Sequence, residues 1–326
     1  MNTNIGVVVI GRNERPRLDR CLASIPRGYP TVYADSASTD DSVVYAGERG
    51  VTVVQLEKDR QLTAARGRNA GAQKLLQMQP TLEFIQFVDG DCEIENGWLE
   101  TAAKFLKSNP AVAVVSGRRR EAYPDASLYN TLCNFEWNTD IGEANASGGD
   151  SMVRASAFIE SGGFRDDQLA HEEPEFCARL RERGWKIWRI DQPMTIHDAA
   201  IFRLSQFVRR SRRAGMGMCQ ALMRSERLKD PAALQILGRA IFWALILPIA
   251  AVIGSLITPF FSLMILAVYL IQWLRQSIKA KRSGFVIKDA FAVGALTILS
   301  KFAELQGAFS FLFRKRRMLG YADLSY

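Results

Sequence analysis

Two aspartates, Asp89 and Asp91, stand on either side of Gly90 and directly follow an apolar segment. Carboxylates at this spacing can converge on one hard cation. Proteins typically hold Mg²⁺ or Mn²⁺ by one or two carboxylates together with the phosphates of a substrate. A cation held in this way would offset the charge on a departing nucleoside diphosphate. Because an isolated Asp-Gly-Asp is also a common polar turn, the other polar clusters decide between the two interpretations.

Further polar clusters follow other apolar segments. Asp35 begins a loop rich in Ser, Thr and Asp, where a carboxylate can accept hydrogen bonds from a ribose or a base. The same loop can instead cap the helix that follows it. Arg66, Arg68 and Asn69 stand at the start of a predicted helix. They could meet a diphosphate together with the helix N-terminus, or form a basic turn that faces solvent.

The elements that must position these clusters alternate along the chain. Apolar, β-branched segments predict strands at 5–10, 31–34, 51–56, 83–88 and 111–116. Helices are predicted at 17–25, 42–48, 64–77 and 98–107, and farther along a helix at 174–183 precedes a strand at 185–190. This alternation is typical of an α/β domain with a mainly parallel sheet. Since ligands bind outside the carboxyl ends of such strands, the polar clusters stand where a site is expected.

The C-terminal part of the chain has a different pattern. No charged residue occurs from 240 to 274, a segment longer than one bilayer-spanning helix of about 20 residues, and Pro259 lies near its middle. We predict a helical hairpin, spanning or re-entrant, whose second half at 260–274 is short for a full span. A buried helical pair in a soluble protein is the alternative. Residues 285–313 predict an amphipathic helix or pair on a membrane surface, and less strongly a third span.

Charge and cysteine content narrow the class of protein. The formal net charge is +8, and many of the Arg and Lys residues flank the apolar segments. This placement favours an anionic membrane surface over nucleic acid, with a solvated basic face as the alternative. The five cysteines are widely spaced without a CxxC, which argues against a disulfide framework or a zinc cluster. The N-terminus is typical of a strand and not of a signal peptide, so we expect the bulk of the chain in the cytoplasm.

Together these clusters resemble the family 2 glycosyltransferases, which have the GT-A fold. The resemblance runs from residue 7 to about residue 213, and the order and spacing of its segments make it specific although each segment alone is weak. The segments are VVVIGRNE at 7–14, ADSASTDDS at 34–42, ARGRNAGA at 65–72, FVDGDCEIENGWL at 87–99, ASGGDSMVRASAFIESGGF at 146–164 and HEEPEFCARLRERGWKI at 171–187.

The resemblance implies a donor site. Asn13, Glu14 and the carboxylate of Asp35 would hold the uridine or guanosine of a nucleotide sugar. Arg66 and Asn69 would lie near its diphosphate.

The resemblance also implies a metal site for Mn²⁺ or Mg²⁺. Asp91 would ligate the cation, and Asp89 would contact the cation or the donor ribose. A histidine downstream of the sheet completes this site in some GT-A enzymes, which makes His197 a candidate ligand. A structural role for His197 is the alternative.

An acceptor site and a base follow from the same resemblance. Gly148, Gly149 and Asp150 would form the floor beneath the acceptor. Glu172 and Glu173 stand where the family usually has Glu-Asp, and one of them would deprotonate the acceptor hydroxyl, an attack that inverts the anomeric centre. We favour Glu173. Both could instead stabilise a helix N-terminus by their charge.

We therefore predict a catalytic GT-A domain at 1–235 and membrane-associated helices at 236–326. The predicted activity is metal-dependent, inverting transfer from a UDP- or GDP-sugar to a lipid-linked or membrane-proximal acceptor. The expected location is the inner membrane, with the catalytic domain in the cytoplasm, and surface polysaccharide assembly fits this arrangement. The alternatives are a non-catalytic membrane scaffold and, less favoured, a sugar nucleotidyltransferase, for which the segment at 11–14 is too short to form the expected triphosphate loop.

Overall fold

The computed structural model of the protein describes residues 4–224 and 231–317. The chain forms two compact units. One comprises the residues up to Pro124 together with Cys133–Ala200, and the other comprises Asp125–Leu132 and the helices that follow Ile201. The predicted domain boundary at 235 stays a prediction, and residues 318–326 of the predicted C-terminal domain lie outside the described residues.

A nine-stranded sheet forms the centre of the first unit. Its strands are β1 (Ile5–Gly11), β2 (Thr31–Asp35), β3 (Thr52–Gln55), β4 (Phe84–Asp89), β5 (Cys92–Ile94), β6 (Val112–Glu121), β7 (Gly142–Ala144), β8 (Ser151–Arg154) and β9 (Lys186–His197). The helices before residue 200 are α1 (Arg15–Ser24), α2 (Ser42–Glu48), α3 (Ala64–Met78), α4 (Trp98–Ser108), α5 (Leu128–Glu136), α6 (Ala155–Ser161) and α7 (Glu172–Glu182), and a short 3₁₀ turn covers Pro124–Ala126.

The strand order is β3-β2-β1-β4-β8-β6-β9-β5, with β7 paired to β9. The α/β prediction is confirmed, and the parallel pairing that it expects holds for β3, β2, β1 and β4. Beyond β4 the sheet is mixed, because β8 is antiparallel to both of its neighbours. A strand of four residues is too short to show a period, so the sequence did not indicate β8. β6 and β9 also run past their predicted ends at 116 and 190, since each pairs with the other through its polar half.

The core consists of two layers, one on each face of the sheet. Val7 and Val9 of β1 belong to one buried cluster, and the intervening Val8 and Ile10 belong to the other. Side chains of a strand alternate between faces, so a strand buried on both faces is apolar throughout. α3 approaches β1 closely at Gly71, where a Cβ would lie 2.4 Å from Cγ1 of Val8.

The second unit is helical. After residue 200 its helices are α8 (Leu204–Arg224), α9 (Pro231–Ile241), a π-helical stretch at Phe242–Ile246, α10 (Leu247–Ile257), α11 (Pro259–Arg282) and α12 (Ile287–Arg317). The predicted amphipathic segment at 285–313 is a single helix, and its placement on a membrane surface stays a prediction. The basic side chains of residues 314–317 lie outside the described side chains.

The predicted hairpin is present as two antiparallel helices. Ala233–Ile257 and Phe260–Arg282 have mean hydropathies of 2.5 and 1.3 and are long enough to cross a membrane. The hydroxyl of Tyr269 donates to the carbonyl oxygen of Trp243, and the hydroxyl of Ser262 donates to that of Ala251, so the two helices run antiparallel. The second helix is longer than the uncharged segment suggested, because it continues past residue 274 through a basic end.

Candidate active site

The loops after β1 and β2 hold each other in place. Asn13 adopts a left-handed backbone conformation with φ of 57°, and its side-chain oxygen accepts a hydrogen bond of 2.7 Å from the backbone N–H of Thr39. Asp35 is 1% exposed, and its carboxylate accepts hydrogen bonds from the backbone N–H of Ser38 at 2.8 Å and from the hydroxyl of Tyr33 at 3.1 Å. Asp35 therefore lies at the end of its strand as predicted, but both of its oxygens are engaged within its own surroundings.

Arg68 of α3 is the centre of a buried group of carboxylates. Its guanidinium donates to Oε1 of Glu172 at 2.6 Å and to Oδ1 of Asp89 at 2.8 Å. It also lies 3.2 Å from Oε1 of Glu173, and its side chain is 3% exposed. The Asp-Gly-Asp segment and the start of α7 are thus brought together by one arginine. The predicted contact of Arg68 with a diphosphate stays a prediction.

A second arginine, largely shielded from solvent, lies beside Asp89. Arg119 of β6 lies 2.7 Å from the carboxylate of Asp150 and 3.5 Å from that of Asp89. Asp150 also accepts hydrogen bonds from the hydroxyl of Thr195 at 2.7 Å and from the backbone N–H of Asp89 at 3.1 Å. Asp150 is fully buried. In this structure it orients Asp89 and Arg119, and its predicted place in the acceptor floor stays a prediction.

Carboxylates outnumber guanidinium groups in this cluster, and the pKa values of its carboxylates are shifted. Burial, and then the neighbouring Glu172, raises the pKa of Glu173 to about 8. Burial also raises the pKa of Asp89, although Arg68 opposes it. For Asp150 burial acts in the same direction, but Arg119, the hydrogen bonds from Thr195 and from the backbone of Asp89, and His197 together outweigh burial, and the pKa is lowered. Glu173 is thus a carboxylate whose pKa lies close to neutral pH, as expected of a group that exchanges protons.

Asp91 and His197 form a separate pair. Nε2 of His197 lies 3.2 Å from Oδ2 of Asp91, because antiparallel pairing of β5 with β9 places His197 opposite Cys92. Burial would raise the pKa of Asp91, but the charge and hydrogen bond of His197, together with the nearby Arg17 and Arg119, outweigh burial, and the pKa is lowered. The imidazole stacks on Trp137 with ring centroids 4.7 Å apart. Its Nδ1 is buried without a hydrogen-bond partner in the described part of the chain.

The donor atoms of this pair fit a divalent cation. A carboxylate oxygen of Asp91, a ring nitrogen of His197 and the thiol of Cys92 all lie within 4.8 Å of one another. The carboxylate of Asp91 suits Mn²⁺ or Mg²⁺. Burial raises the pKa of the Cys92 thiol well above its usual value, so the sulfur stays protonated and is a poor ligand for a hard cation.

Glu14 faces Asp91 from the end of β1. Arg17 of α1 bridges the two, at 2.5 Å from Oε2 of Glu14 and 3.7 Å from Oδ2 of Asp91. Burial, and then Asp91, raises the pKa of Glu14 to about 7. Glu14, predicted as a donor contact, therefore borders the candidate metal position.

Two predicted donor contacts are engaged elsewhere. The guanidinium of Arg66 donates to the carbonyl oxygens of Glu57 and Arg60, at 2.9 and 3.1 Å, and to the carboxylate of Asp59 at 2.9 Å. Asn69 exchanges two hydrogen bonds with the backbone of Phe164, donating at 2.7 Å and accepting at 2.9 Å. Both side chains hold loops near α3, and their predicted contact with a diphosphate stays a prediction.

The two glycines before β8, Gly148 and Gly149, have different surroundings. A Cβ on Gly149 would lie 2.5 Å from Nη2 of Arg68, 2.9 Å from Oδ2 of Asp89 and 3.1 Å from Oε1 of Glu173. A Cβ on Gly148 would meet nothing within 4 Å. A side chain at position 149 would therefore displace the groups that surround Arg68, so this position requires glycine.

Sequence reasoning missed Arg119 and Trp137. Arg119 belongs to the run Arg118–Arg120, which lies beyond the predicted end of its strand at residue 116. The alternation of a strand would set Arg119 apart from Arg118 and Arg120, but the pairing of β6 with β9 is irregular at Arg118 and Arg119, and no local pattern indicates that irregularity. The position of Trp137 beside His197 depends on tertiary packing, and no local pattern indicated it.

The chain matches known proteins over this same region. Residues 6–205 match the family model described as glycosyl transferase family 2. Glycosyltransferase AglE of Haloferax volcanii is 23% identical over 233 residues, which cover 67% of this chain and 74% of AglE.

Two solved structures have a similar fold. A mannosyltransferase from Pyrobaculum calidifontis, solved with GDP-Man and Mn²⁺, matches with a TM-score of 0.58 and 18% identity over 97% of this chain and 88% of that one. TarS of S. aureus matches with a TM-score of 0.51 and 15% identity, and the match covers 74% of this chain but only 43% of TarS.

Proposed function

The chain belongs to glycosyl transferase family 2 and uses a nucleotide sugar, and from this premise we propose that it is an inverting, metal-dependent enzyme whose acceptor is lipid-linked or membrane-proximal. One observation carries the proposal. Arg68 gathers Asp89 with Glu172 and Glu173, residues far apart in the sequence, beside the Asp91–His197 pair. A carboxylate with a pKa near neutral pH thus stands close to a set of cation ligands, as sugar transfer from a nucleoside diphosphate requires.

Asp91 and His197 would hold Mn²⁺ or Mg²⁺. The cation, when bound, supplies positive charge that offsets the charge developing on the diphosphate. The mannosyltransferase from Pyrobaculum calidifontis, which was solved with Mn²⁺ and GDP-Man, supports a divalent cation and a nucleotide-sugar donor. Asp89 is held by Arg68 through one oxygen, so in this arrangement Asp91 is the stronger candidate ligand.

Glu173 is proposed as the base. Its carboxylate takes the proton of the acceptor hydroxyl while the hydroxyl oxygen forms a bond to the anomeric carbon. The bond from that carbon to the diphosphate breaks, and the diphosphate leaves with the electron pair. Glu172 is less suited to the role, because it is 6% exposed and its Oε1 accepts the 2.6 Å hydrogen bond from Arg68. Attack opposite to the leaving group inverts the anomeric centre.

The second unit supports attachment to a membrane. Side chains at the turn of the hairpin are highly exposed, with Leu256 83% and Ile257 78% accessible. Exposed apolar surface of this kind is stable in lipid but costly in water. Basic residues form the C-terminal end of α11, and another basic residue, Arg239, lies near the start of the first apolar helix. This pattern supports an inner-membrane enzyme with both hairpin ends and the catalytic unit on the cytoplasmic side. Assembly of a surface polysaccharide fits this arrangement.

The proposal is tested with purified, detergent-solubilised full chain. A panel of UDP- and GDP-sugars is supplied with Mn²⁺ and a membrane lipid extract, and release of nucleoside diphosphate is measured. We expect release with one donor, and we expect EDTA or the Asp91→Ala substitution to abolish it. Absence of release with every donor, together with no donor-dependent rise in Tm, would favour a non-catalytic scaffold.

A further inference from the structure

A groove in the second unit concentrates positive charge. It has a volume of about 900 Å³ and lies between the first apolar helix, α11 and α12. Its basic lining residues are Arg239, Arg275, Lys279, Arg282 and Lys301. No Asp or Glu is among the residues that line it. The groove is therefore complementary to an anion.

Most of these basic side chains form no ion pair with a carboxylate in the described part of the chain. Lys301 pairs with Glu304 at 2.7 Å. Within residues 4–224 and 231–317, no carboxylate forms an ion pair with Arg239, Arg275 or the other basic residues of α11 in the groove. Cations in the last turn of a helix are stabilised by its dipole, but that effect does not reach Arg275, more than one turn earlier, or Arg239 on another helix.

The spacing along α11 places its cations on one face. Arg275, Lys279 and Arg282 follow each other at intervals of four and three residues. Residues at these intervals are neighbours on a helix surface, and like charges there repel each other. A bound anion between this face and Arg239 would remove the repulsion.

The position of the cations matches the interface of a bilayer. Arg239 lies near the start of the first apolar helix, and the basic face lies near the end of the second, so the antiparallel alignment puts them at the same end of the hairpin. From Arg275 to Arg282 the helix rises roughly 10 Å. The headgroup layer on each side of a bilayer is about 5 to 8 Å thick, which places these cations among phosphates when the hairpin spans.

The groove also has an apolar lining. Trp243, Ile271, Leu274 and Ile298 line it together with the cations. A free inorganic anion gains nothing from such side chains, whereas a lipid can lay its glycerol backbone and the top of an acyl chain against them. Trp is, in addition, enriched at membrane interfaces.

We propose that this groove binds the phosphate headgroup of an anionic membrane phospholipid. The proposal rests on the membrane attachment proposed above, but not on the catalytic chemistry. The phosphate lies between Arg239 and the basic face of α11, and the apolar lining receives the lipid's upper chain. Bound lipid thereby fixes the depth of the hairpin in an anionic leaflet.

The test uses the full chain in a neutral detergent, equilibrated with equal amounts of phosphatidylglycerol and phosphatidylcholine. Native mass spectrometry counts the lipids that are retained. We expect the unaltered chain to prefer phosphatidylglycerol, and the double variant Arg275→Gln/Lys279→Gln to weaken that preference roughly tenfold or more. The control, Lys281→Gln/Lys288→Gln, removes the same charge from exposed residues outside the groove and is expected to keep the preference.

A charge-conserving double variant, Arg275→Lys/Lys279→Arg, guards against a change in folding and is also expected to keep the preference. Equal loss in the groove variant and in the Lys281/Lys288 control would mean diffuse surface attraction and would overturn the proposal. Displacement of the lipid by inorganic phosphate at an equal concentration would overturn it in favour of a free-anion site. Carbonate extraction of membranes and donor turnover test the proposed function separately, so failure there is distinguishable from failure of the lipid site.

Discussion

Glu173→Gln is expected to change activity and stability in opposite directions. The side chain of Glu173 is 16% exposed and lies 3.2 Å from Arg68. Burial, and then Glu172, raises its pKa from 4.5 to about 8. The folded protein therefore binds more protons at this site than the unfolded chain does between these two values. Its contribution to stability is fully present below about pH 4.5 and is lost as the pH rises through 8.

The size of the effect on stability follows from the shift in the pKa of Glu173. Each pKa unit corresponds to about 1.4 kcal/mol, so the ionised carboxylate at pH 9 costs up to about 5 kcal/mol in the free energy of unfolding. Glutamine has nearly the shape of a protonated Glu and cannot ionise. We expect Glu173→Gln to match the unaltered protein in Tm at pH 5 and to exceed it at pH 9.

Activity is expected to fall in the same variant. Loss of a positioned base typically costs 10²- to 10⁴-fold in turnover. In the unaltered protein only ionised Glu173 accepts the proton, so kcat is expected to rise with pH through about 8. The assay measures sugar transfer from the identified donor at fixed Mn²⁺ across this pH range, beside thermal unfolding in the same buffers.

Glu172→Gln is the matched control. It removes a carboxylate that accepts the 2.6 Å hydrogen bond from Arg68, and we expect a lower Tm at both pH values with a smaller loss of turnover. Full turnover in Glu173→Gln, or a lower Tm at pH 9, would refute the reasoning. Loss of turnover confined to Glu172→Gln would transfer the role of base to Glu172.

Three further predictions concern the surroundings of this group. Asp91→Asn is expected to raise the Mn²⁺ concentration needed for half-maximal turnover by roughly tenfold or more, because a charged ligand becomes neutral. Gly149→Ala is expected to abolish turnover, since its Cβ would lie 2.5 Å from a guanidinium nitrogen, whereas Gly148→Ala, with open space around it, is expected to keep the Tm and to lower turnover less. Arg119→Leu leaves a buried carboxylate unpaired and is expected to cost about 3 to 5 kcal/mol in stability, measured as a fall in Tm, whereas Arg120→Leu at the half-exposed neighbouring position is expected to cost at most about 1 kcal/mol.

Each of these three predictions would be contradicted by a specific result. An unchanged Mn²⁺ dependence in Asp91→Asn would remove that residue from the metal site. Equal activity of the Gly149 and Gly148 variants would show that the loop can move without loss of function. Equal stability of the Arg119 and Arg120 variants would mean that the buried ion pair is not required for folding.

Much of the fold could be predicted from local pattern. β1, β2, β4 and the helices between them follow from apolar segments and from polar loops, because hydrophobic period and turn preference are properties of adjacent residues. The same local patterns predicted that Asp35 and Asp89 stand at the carboxyl ends of their strands. The hairpin was also predictable, since an uncharged segment of that length needs no tertiary information to be recognised.

The contacts of the candidate site were decided by tertiary structure. Arg68 and Glu172 are 104 positions apart in the sequence, and their hydrogen bond depends on how α3 and α7 pack on the sheet. Arg66 and Arg68 are alike in type and lie two residues apart, yet one supports a loop and the other gathers the carboxylates.

Residues two apart point in different directions on a helix, and only the packing of α3 on the sheet selects the one that faces the site. The sequence by itself determined which chemical groups the chain carries and at which strand ends they stand. The folded chain determined which of them meet, because such contacts depend on strand register and helix orientation. No run of adjacent residues encodes those two quantities.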